Sequence, residues 1–288
     1  MQLDTLVAEP WPDYALLDSG HGRKFEQYGR YRFIRPEPQA LWAPAATDWQ
    51  ADGEFVGGSE EEGGGRWNLS PDVPASWPLS RGALRFHAAN TNFRHLAFFP
   101  DMAVHWDWMA ARLGSGTSVL NLFSYTGVGS LACAHVGASV THVDASKKAV
   151  ASAQANAQLS GMADAPIRWL TDDALKFLRR EVRRGRRYDG IILDPPKYGR
   201  GPDGEVWELY RDLPELVTAA RALLDAESRF LVLTVYAIRL SALAIAELVK
   251  DSFADLGGRI SAGEMTIRET ARDRLLPTAI FVRWNASG

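Results

Sequence analysis

The sequence predicts an α/β chain in two parts. The larger is a mostly parallel sheet with helices on both faces and an antiparallel edge; the smaller is an N-terminal, mainly β appendage. Three observations lead there. From about residue 100, stretches with helical spacing alternate with short apolar runs, and strands joined by crossover helices form parallel sheets. The last two apolar runs, 259–267 and 278–284, have no helix between them and are expected to pair antiparallel at an edge. Residues 1–85 instead break short aromatic and aliphatic stretches with Gly-containing turns, the pattern of β-hairpins.

In chain order, "YALLDSGHGRKFEQYGRYRFIRP" reads as hairpins, and "ADGEFVGGSEEEGGGRWNLS" as a mobile loop or exposed hairpin. The appendage ends softly near "SWPLSRGALRF", so the larger domain is expected over 86–288. There, 102–114 has apolar residues at helical spacing and a terminal glycine. Strand 118–123, helix 129–138 and strand 139–144 follow, then an Ala-rich helix over 146–161 that Ser146 can cap and Gly161 ends. Strand 167–170, helix 173–184, strand 188–194, helix 208–224, strand 229–236 and helix 241–256 complete the alternation. No internal repeat is visible.

The 46% apolar and 23% charged composition suits a globular chain with a sizeable core. No apolar run is long enough to span a bilayer, and the acidic N-terminus lacks the basic residues of a signal peptide, so the expected compartment is the cytoplasm. A single cysteine, Cys133, excludes an internal disulfide and a Cys-cluster metal site. The six histidines lack metal-ligand spacing, and no metal is inferred. Residues 1–80 carry 6 Lys and Arg against 13 Asp and Glu. A polyanionic partner would therefore meet the later part of the chain.

Ligands of parallel sheets sit at the carboxyl ends of the strands, which selects four loops: 121–129, 144–146, 171–174 and 194–200. The first, "NLFSYTGVGS", joins strand to helix as nucleotide-binding turns do, but it is not G-x-G-x-x-G. Phe123 and Tyr125 stand where a phosphate cradle wants glycine, which argues against NAD or FAD and leaves room for an adenosine with an uncharged or cationic tail. Asp144, 17 residues beyond Gly127, either accepts from both ribose hydroxyls or only caps the next helix. Of Asp172 and Asp173, one can accept from an adenine amino group while the other caps a helix. The fourth loop, "LDPPKYG", ends a strand in a stiff elbow: each proline fixes φ, and Pro195 pushes Asp194 towards an extended backbone.

In this order, "NLFSYTG", "VD", "DDA" and "LDPPKYG" resemble the motifs of class I S-adenosylmethionine-dependent methyltransferases, a Rossmann-like fold. More narrowly, residues 85–288 resemble the bacterial group that includes the large-subunit ribosomal RNA methyltransferases with a "DPP" motif. The N-terminal part lacks the RNA-binding module commonly fused in that group. The resemblance implies S-adenosyl-L-methionine as cofactor. It assigns Asn121, Phe123, Ser124, Tyr125, Thr126 and Gly127 to the methionine portion, Asp144 with Ala145 and Ser146 to the ribose, and Asp172 and Asp173 to the adenine, chiefly Asp173. Phe98, Phe99 and Asp101, from "FRHLAFFPDMAVHWDWM", would form a lid. Asp194 would border the cofactor and, with the carbonyl of Pro195, accept an N–H of the methyl acceptor. Pro196 stiffens the elbow, Tyr198 offers a face to an unstacked base, and Lys197 either meets a phosphate or is solvated.

The implied acceptor is a nitrogen of a base in RNA, ribosomal RNA foremost; a protein or small molecule is the other candidate. Cytosine C5 methylation needs a cysteine thiolate, and Cys133, flanked by alanines in a helix, reads as core packing. "RREVRRGRR", six arginines over 179–187, either contacts RNA phosphates or is a solvated helix end complementing the macrodipole. It is expected near the edge opposite the catalytic rim, with Arg200, Arg211 and Arg239 closer to the acceptor side. A nucleoside-binding regulatory or scaffold protein is the rival from another class, but a pure binder has no use for the elbow.

Overall fold

The computed structural model describes residues 2–57, 65–236 and 238–286. They form two compact units, one of Leu6–Val104 with Met265–Thr278, the other of Met1–Thr5, His105–Glu264 and Ala279–Gly288. Strand β1 (Asp4–Ala8) opens the chain.

In the first unit, β2 (Tyr14–Gly20), β3 (Arg23–Tyr28), β4 (Tyr31–Pro36), β5 (Gly53–Val56) and β6 (Arg66–Leu69) make a sheet in sequence order. All its pairings are antiparallel except β4 with β5. Residues 58–64, part of the stretch expected as a mobile loop or exposed hairpin, lie outside the described residues. β7 (Ser76–Arg81) and β8 (Leu84–Ala89) form a separate ribbon over the stretch where the sequence marks a soft boundary. The hairpins expected from the Gly-containing turns are therefore present. Aromatic rings dominate this core: Phe33 stacks on Trp77, and Phe98 lies between Tyr28 and Phe86. Among them Glu26 is fully buried, accepting from Arg35 at 2.7 and 2.8 Å and from the Tyr14 hydroxyl at 2.8 Å. A buried charge is tolerated when it is paired and bonded in this way.

In the second unit, α1 (Ala103–Ala110, starting just ahead of it) leads to β9 (Ser118–Leu122), α2 (Val128–His135), β10 (Ser139–Asp144), α3 (Lys147–Leu159), β11 (Ile167–Thr171), α4 (Ala174–Arg183) and β12 (Gly190–Leu193). After β13 (Tyr198–Arg200) and β14 (Val206–Glu208) come α5 (Leu209–Arg221), β15 (Phe230–Val235), α6 (Ala242–Ser252), β16 (Arg259–Arg268) and β17 (Leu275–Asn285). The main sheet runs β1-β16-β17-β15-β12-β9-β10-β11. β15, β12, β9, β10 and β11 are mutually parallel, and β17 pairs antiparallel with β15. Every residue of β12 and β15 is buried, as expected of parallel strands covered on both faces.

Two expectations need correction. The last two strands do not form the edge of the sheet, because β1 lies outside β16. There the backbone of Asp4 passes so close to Gly263 that an added Cβ would sit 1.8 Å from the Asp4 carbonyl oxygen. Residues 198–200, expected within the loop 194–200, are instead strand β13 of the antiparallel hairpin β13–β14, with Gly199 opposite Trp207.

Candidate active site at the carboxyl ends of the central strands

The chain leaves β9 towards β10 on one side, while β12 lies on the other. Such a reversal of strand order opens a crevice at the carboxyl ends of the strands. The register decides what lines it. Leu122 pairs with Val143 on one flank and Leu193 on the other, so Phe123, Asp144 and Asp194 leave the sheet at one level. Asp144 pairs with Thr171, which puts Asp172 one residue further out. The sequence-predicted acids thus come together on one rim.

The turn after β9 is held in an uncommon backbone. Phe123 and Tyr125 have φ of 56° and 47°, left-handed values that bulky residues rarely adopt and that persist only when neighbours impose them. Ser124 is one such neighbour: its hydroxyl donates to the Asn121 carbonyl at 2.6 Å, and its N–H to the Val143 carbonyl at 3.2 Å. Gly127, at φ 81°, starts α2; a Cβ there would lie 2.7 Å from that of Ala153. The Thr126 carbonyl accepts from Asn156 at 2.9 Å. Asn121 is buried, and its amide donates to the Ser130 hydroxyl at 2.9 Å, which lies 3.0 Å from His142 Nδ1. Asn121 therefore works beneath the turn. Asn156, Ser130 and His142 carried no motif signal, because helix and strand residues that support a loop from below look like ordinary core.

Asp144 is the hub of the rim. Its Oδ2 accepts from the Tyr125 N–H and its Oδ1 from the Ser146 N–H, each at 2.8 Å. Burial raises its pKa above the usual carboxylate value, and the two N–H groups act against that rise. The cap reading and the ligand reading of Asp144 are compatible, since a carboxylate accepts about four hydrogen bonds. Ser146, exposed, caps α3 by accepting from the Ala149 N–H at 3.2 Å, and Ala145 lies half-buried between these two. The pair after β11 divides its work. Asp173 caps α4 through the Lys176 N–H at 2.8 Å, while Asp172 accepts from the Asp173 N–H and forms an ion pair with Arg180.

The elbow after β12 is closed by its own hairpin. The Pro196 carbonyl accepts from the Trp207 indole at 2.6 Å, and the Lys197 carbonyl from the Leu209 N–H at 3.0 Å. Pro195 is buried and Asp194 half-buried, while Tyr198 is 62% exposed with the Lys197 ammonium 5.4 Å from its ring centre. Trp207, buried against Phe123 at 5.1 Å between ring centres, was not singled out from the sequence. Its only signal is an aromatic opposite a glycine in a three-residue strand. The hairpin tip is held to α4, where the Lys176 ammonium lies 2.8 Å from Asp203 and 3.1 Å from Glu205.

Phe98, Phe99 and Asp101 belong to the first unit, where burial raises the Asp101 pKa against a hydrogen bond from Thr278. Within 179–187, Arg179, Arg180, Arg184 and Arg187 face Glu215, Asp172, Glu181 and Asp225. Arg180 thereby reaches the rim, which corrects its expected place at the opposite edge. Arg211 pairs with Asp212, and Tyr210 accepts from the Arg239 N–H. Cys133 is fully buried in α2, its thiol pushed up to about 12 by burial. Among the described residues no three His, Cys, Asp or Glu side chains gather as a metal site, and no helix is long and apolar enough to cross a membrane.

A model of the S-adenosylmethionine-dependent methyltransferase family matches residues 61–237. The chain belongs to this family. A SAM-dependent methyltransferase from Agrobacterium tumefaciens is 44% identical and superimposes with a TM-score of 0.94, covering 99% of this chain and 94% of that one. A Streptococcus mutans protein named as a candidate SAM-dependent methyltransferase shares the fold at 15% identity, with a TM-score of 0.73 over 94% of this chain and 75% of that one. The ribosomal RNA large subunit methyltransferase I of Shewanella denitrificans is 41% identical over 91 residues, 31% of this chain and 23% of that protein. The similarity to curated relatives thus spans under a quarter of their length. As a methyltransferase-family fold, the chain carries the expected Rossmann-like sheet, with Asp144 and Asp194 at the ends of adjoining strands of β9.

Proposed function

We propose that the chain transfers a methyl group from S-adenosyl-L-methionine to a nitrogen of a base in RNA, ribosomal RNA foremost. The observation that carries the reading is the common level at which Phe123, Asp144 and Asp194 leave β9, β10 and β12. It sets two carboxylates on either side of one turn, and we read Asp144 as the one for the nucleoside and Asp194 as the one for the acceptor.

The donor set fits the cofactor. Asp144 spends one bond per oxygen on the backbone and keeps capacity for a vicinal diol. Phe123 and Tyr125 close the turn to a pyrophosphate. With the Asn121 amide engaged by Ser130, the methionine portion falls to the backbone of 123–127. Asp173 commits Oδ1 to its cap, and its second oxygen serves the adenine amino group. When bound, the cofactor supplies a methyl group on a positively charged sulfur, and the protein's work is alignment. Asp194 and the Pro195 carbonyl accept from an acceptor N–H and so turn the nitrogen lone pair towards the methyl group. The elbow needs little ordering, because two prolines and two carbonyl bonds already fix it. Tyr198 presents its ring to an unstacked base, with Lys197 placed for the phosphate beside it.

The RNA acceptor is supported by the relatives' name and by the exposed aromatic residues Tyr198 and Tyr210 beside Arg200 and Arg211. Mass spectrometry of ribosomal RNA from a deletion strain is expected to lack one base methylation. The wild-type gene should restore it and Asp194→Ala should not. An unchanged set of RNA modifications would remove RNA as the acceptor and leave a protein or small molecule.

A further inference from the structure

We infer that Trp207 is a positioning residue that couples the acceptor elbow to the cofactor turn, so that the two sides of the transfer move as one body. The inference rests on the reading of those two loops given above.

Three contacts carry it. The Trp207 indole donates a hydrogen bond to the Pro196 carbonyl at 2.6 Å. The same ring system packs on Phe123, tilted by 57° with ring centres 5.1 Å apart. Phe123 is one of two aromatic residues held at a left-handed φ in the cofactor turn, so it needs a neighbour to keep it there. Trp207 itself has little freedom, being 5% exposed and paired with Gly199 across the hairpin. Gly199 lies against the elbow, since an added Cβ would be in van der Waals contact with Pro196, 3.4 Å from its Cγ. Elbow, hairpin and turn therefore share one rigid ring. A displacement of Phe123 by the bound cofactor passes to Pro196 through it, and from there to Pro195 and Asp194.

The test uses Trp207→Phe, which keeps a ring against Phe123 and removes the N–H donor. Among the ten tryptophans, the indole N–H resonance of Trp207 is the one that this variant loses. S-adenosylhomocysteine is titrated into the wild-type chain. The Trp207 resonance is expected to shift in step with the binding seen by calorimetry. Trp207→Phe is expected to bind S-adenosylhomocysteine within about twofold of wild type. With ribosomal RNA from a deletion strain as acceptor, its kcat should fall at least tenfold at little change in KM. A merely structural role would lower the melting temperature and the active fraction, and would leave the indole resonance indifferent to the ligand.

Binding with the Trp207 resonance unmoved overturns the coupling, as does a Trp207→Phe enzyme with wild-type kcat. A wild-type chain that binds no S-adenosylhomocysteine overturns the cofactor reading and the coupling together. If that RNA accepts no methyl group, the acceptor reading fails alone and the indole resonance still decides the coupling.

Discussion

The Tyr125 N–H donates to Asp144 Oδ2 at 2.8 Å, so the acid that ends one strand fixes the turn that ends its neighbour. An acid that only capped α3 would bind the Ser146 N–H and leave Tyr125 alone. If the same carboxylate also holds the ribose diol, replacing it disturbs both that contact and the turn. Asp144→Ala is expected to weaken S-adenosylhomocysteine binding by about 1–3 kcal/mol, measured by calorimetry. NADH binding without S-adenosylhomocysteine binding would sink the assignment.

The same residue sets a pH dependence. Burial raises the Asp144 pKa, and only the ionised form accepts from both hydroxyls of a diol. Affinity should therefore hold at high pH and decline as pH falls through the raised value, starting above the ordinary aspartate range of about 4. In Asp144→Asn that decline should vanish from the calorimetric profile. A variant that keeps the wild-type slope would assign it to another group.

His142 gives a stability prediction of definite sign. Burial holds it neutral, with its pKa down to about 3 from 6.5. The unfolded chain binds that proton as pH falls below 6.5, whereas the folded chain does not. Its contribution is thus present above 6.5 and is lost as pH falls towards 3. Between pH 7 and 5 the wild-type chain should lose about 2 kcal/mol more stability than His142→Gln, read from urea unfolding at both pH values. Parallel losses would mean that His142 is hydrated and protonates in place.

Cys133→Ala should leave methyl transfer near wild type and cost about 1 kcal/mol of stability at most. A thiol held at about 12 supplies almost no thiolate at neutral pH. Loss of all activity in a variant shown to be folded would bring covalent catalysis back.

What the sequence made legible follows from which signals are local. The five parallel strands were readable because buried runs such as "GIIL" and "FLVLTV" are continuous and flanked by helical spacing. Gly127, Asp144 and the cap Ser146 were readable because turn and cap chemistry sits within a few residues of its target. β1 was not readable as part of the main sheet, since its neighbour β16 lies some 250 residues away and nothing in "DTLVA" names a partner. β13 and β14 have three residues each, too few to show an alternation. The division of labour between Asp172 and Asp173 depends on Arg180 folding back over two helical turns, which spacing alone does not reveal. Trp207 combines both difficulties, a long-range contact made from a very short strand.

The elbow carries the last prediction. Asp194 follows the buried strand β12 directly, and its neighbours Pro195 and Pro196 leave it little backbone freedom. If its carboxylate orients the acceptor nitrogen, its contact matters during transfer and hardly at all for the cofactor. Asp194→Ala should then lower kcat by at least about a hundredfold, with S-adenosylhomocysteine affinity close to wild type. Tyr198 sits four residues on and is 62% exposed; a ring stacked on the acceptor would touch it before and during transfer alike. Tyr198→Ala should thus raise KM for RNA, equivalent to about 1–3 kcal/mol if the ring stacks on a base, with kcat largely kept. The two variants separate the roles: one loses rate, the other affinity. An Asp194→Ala enzyme with full turnover on its true acceptor would reduce "DPPKYG" to a strand terminator.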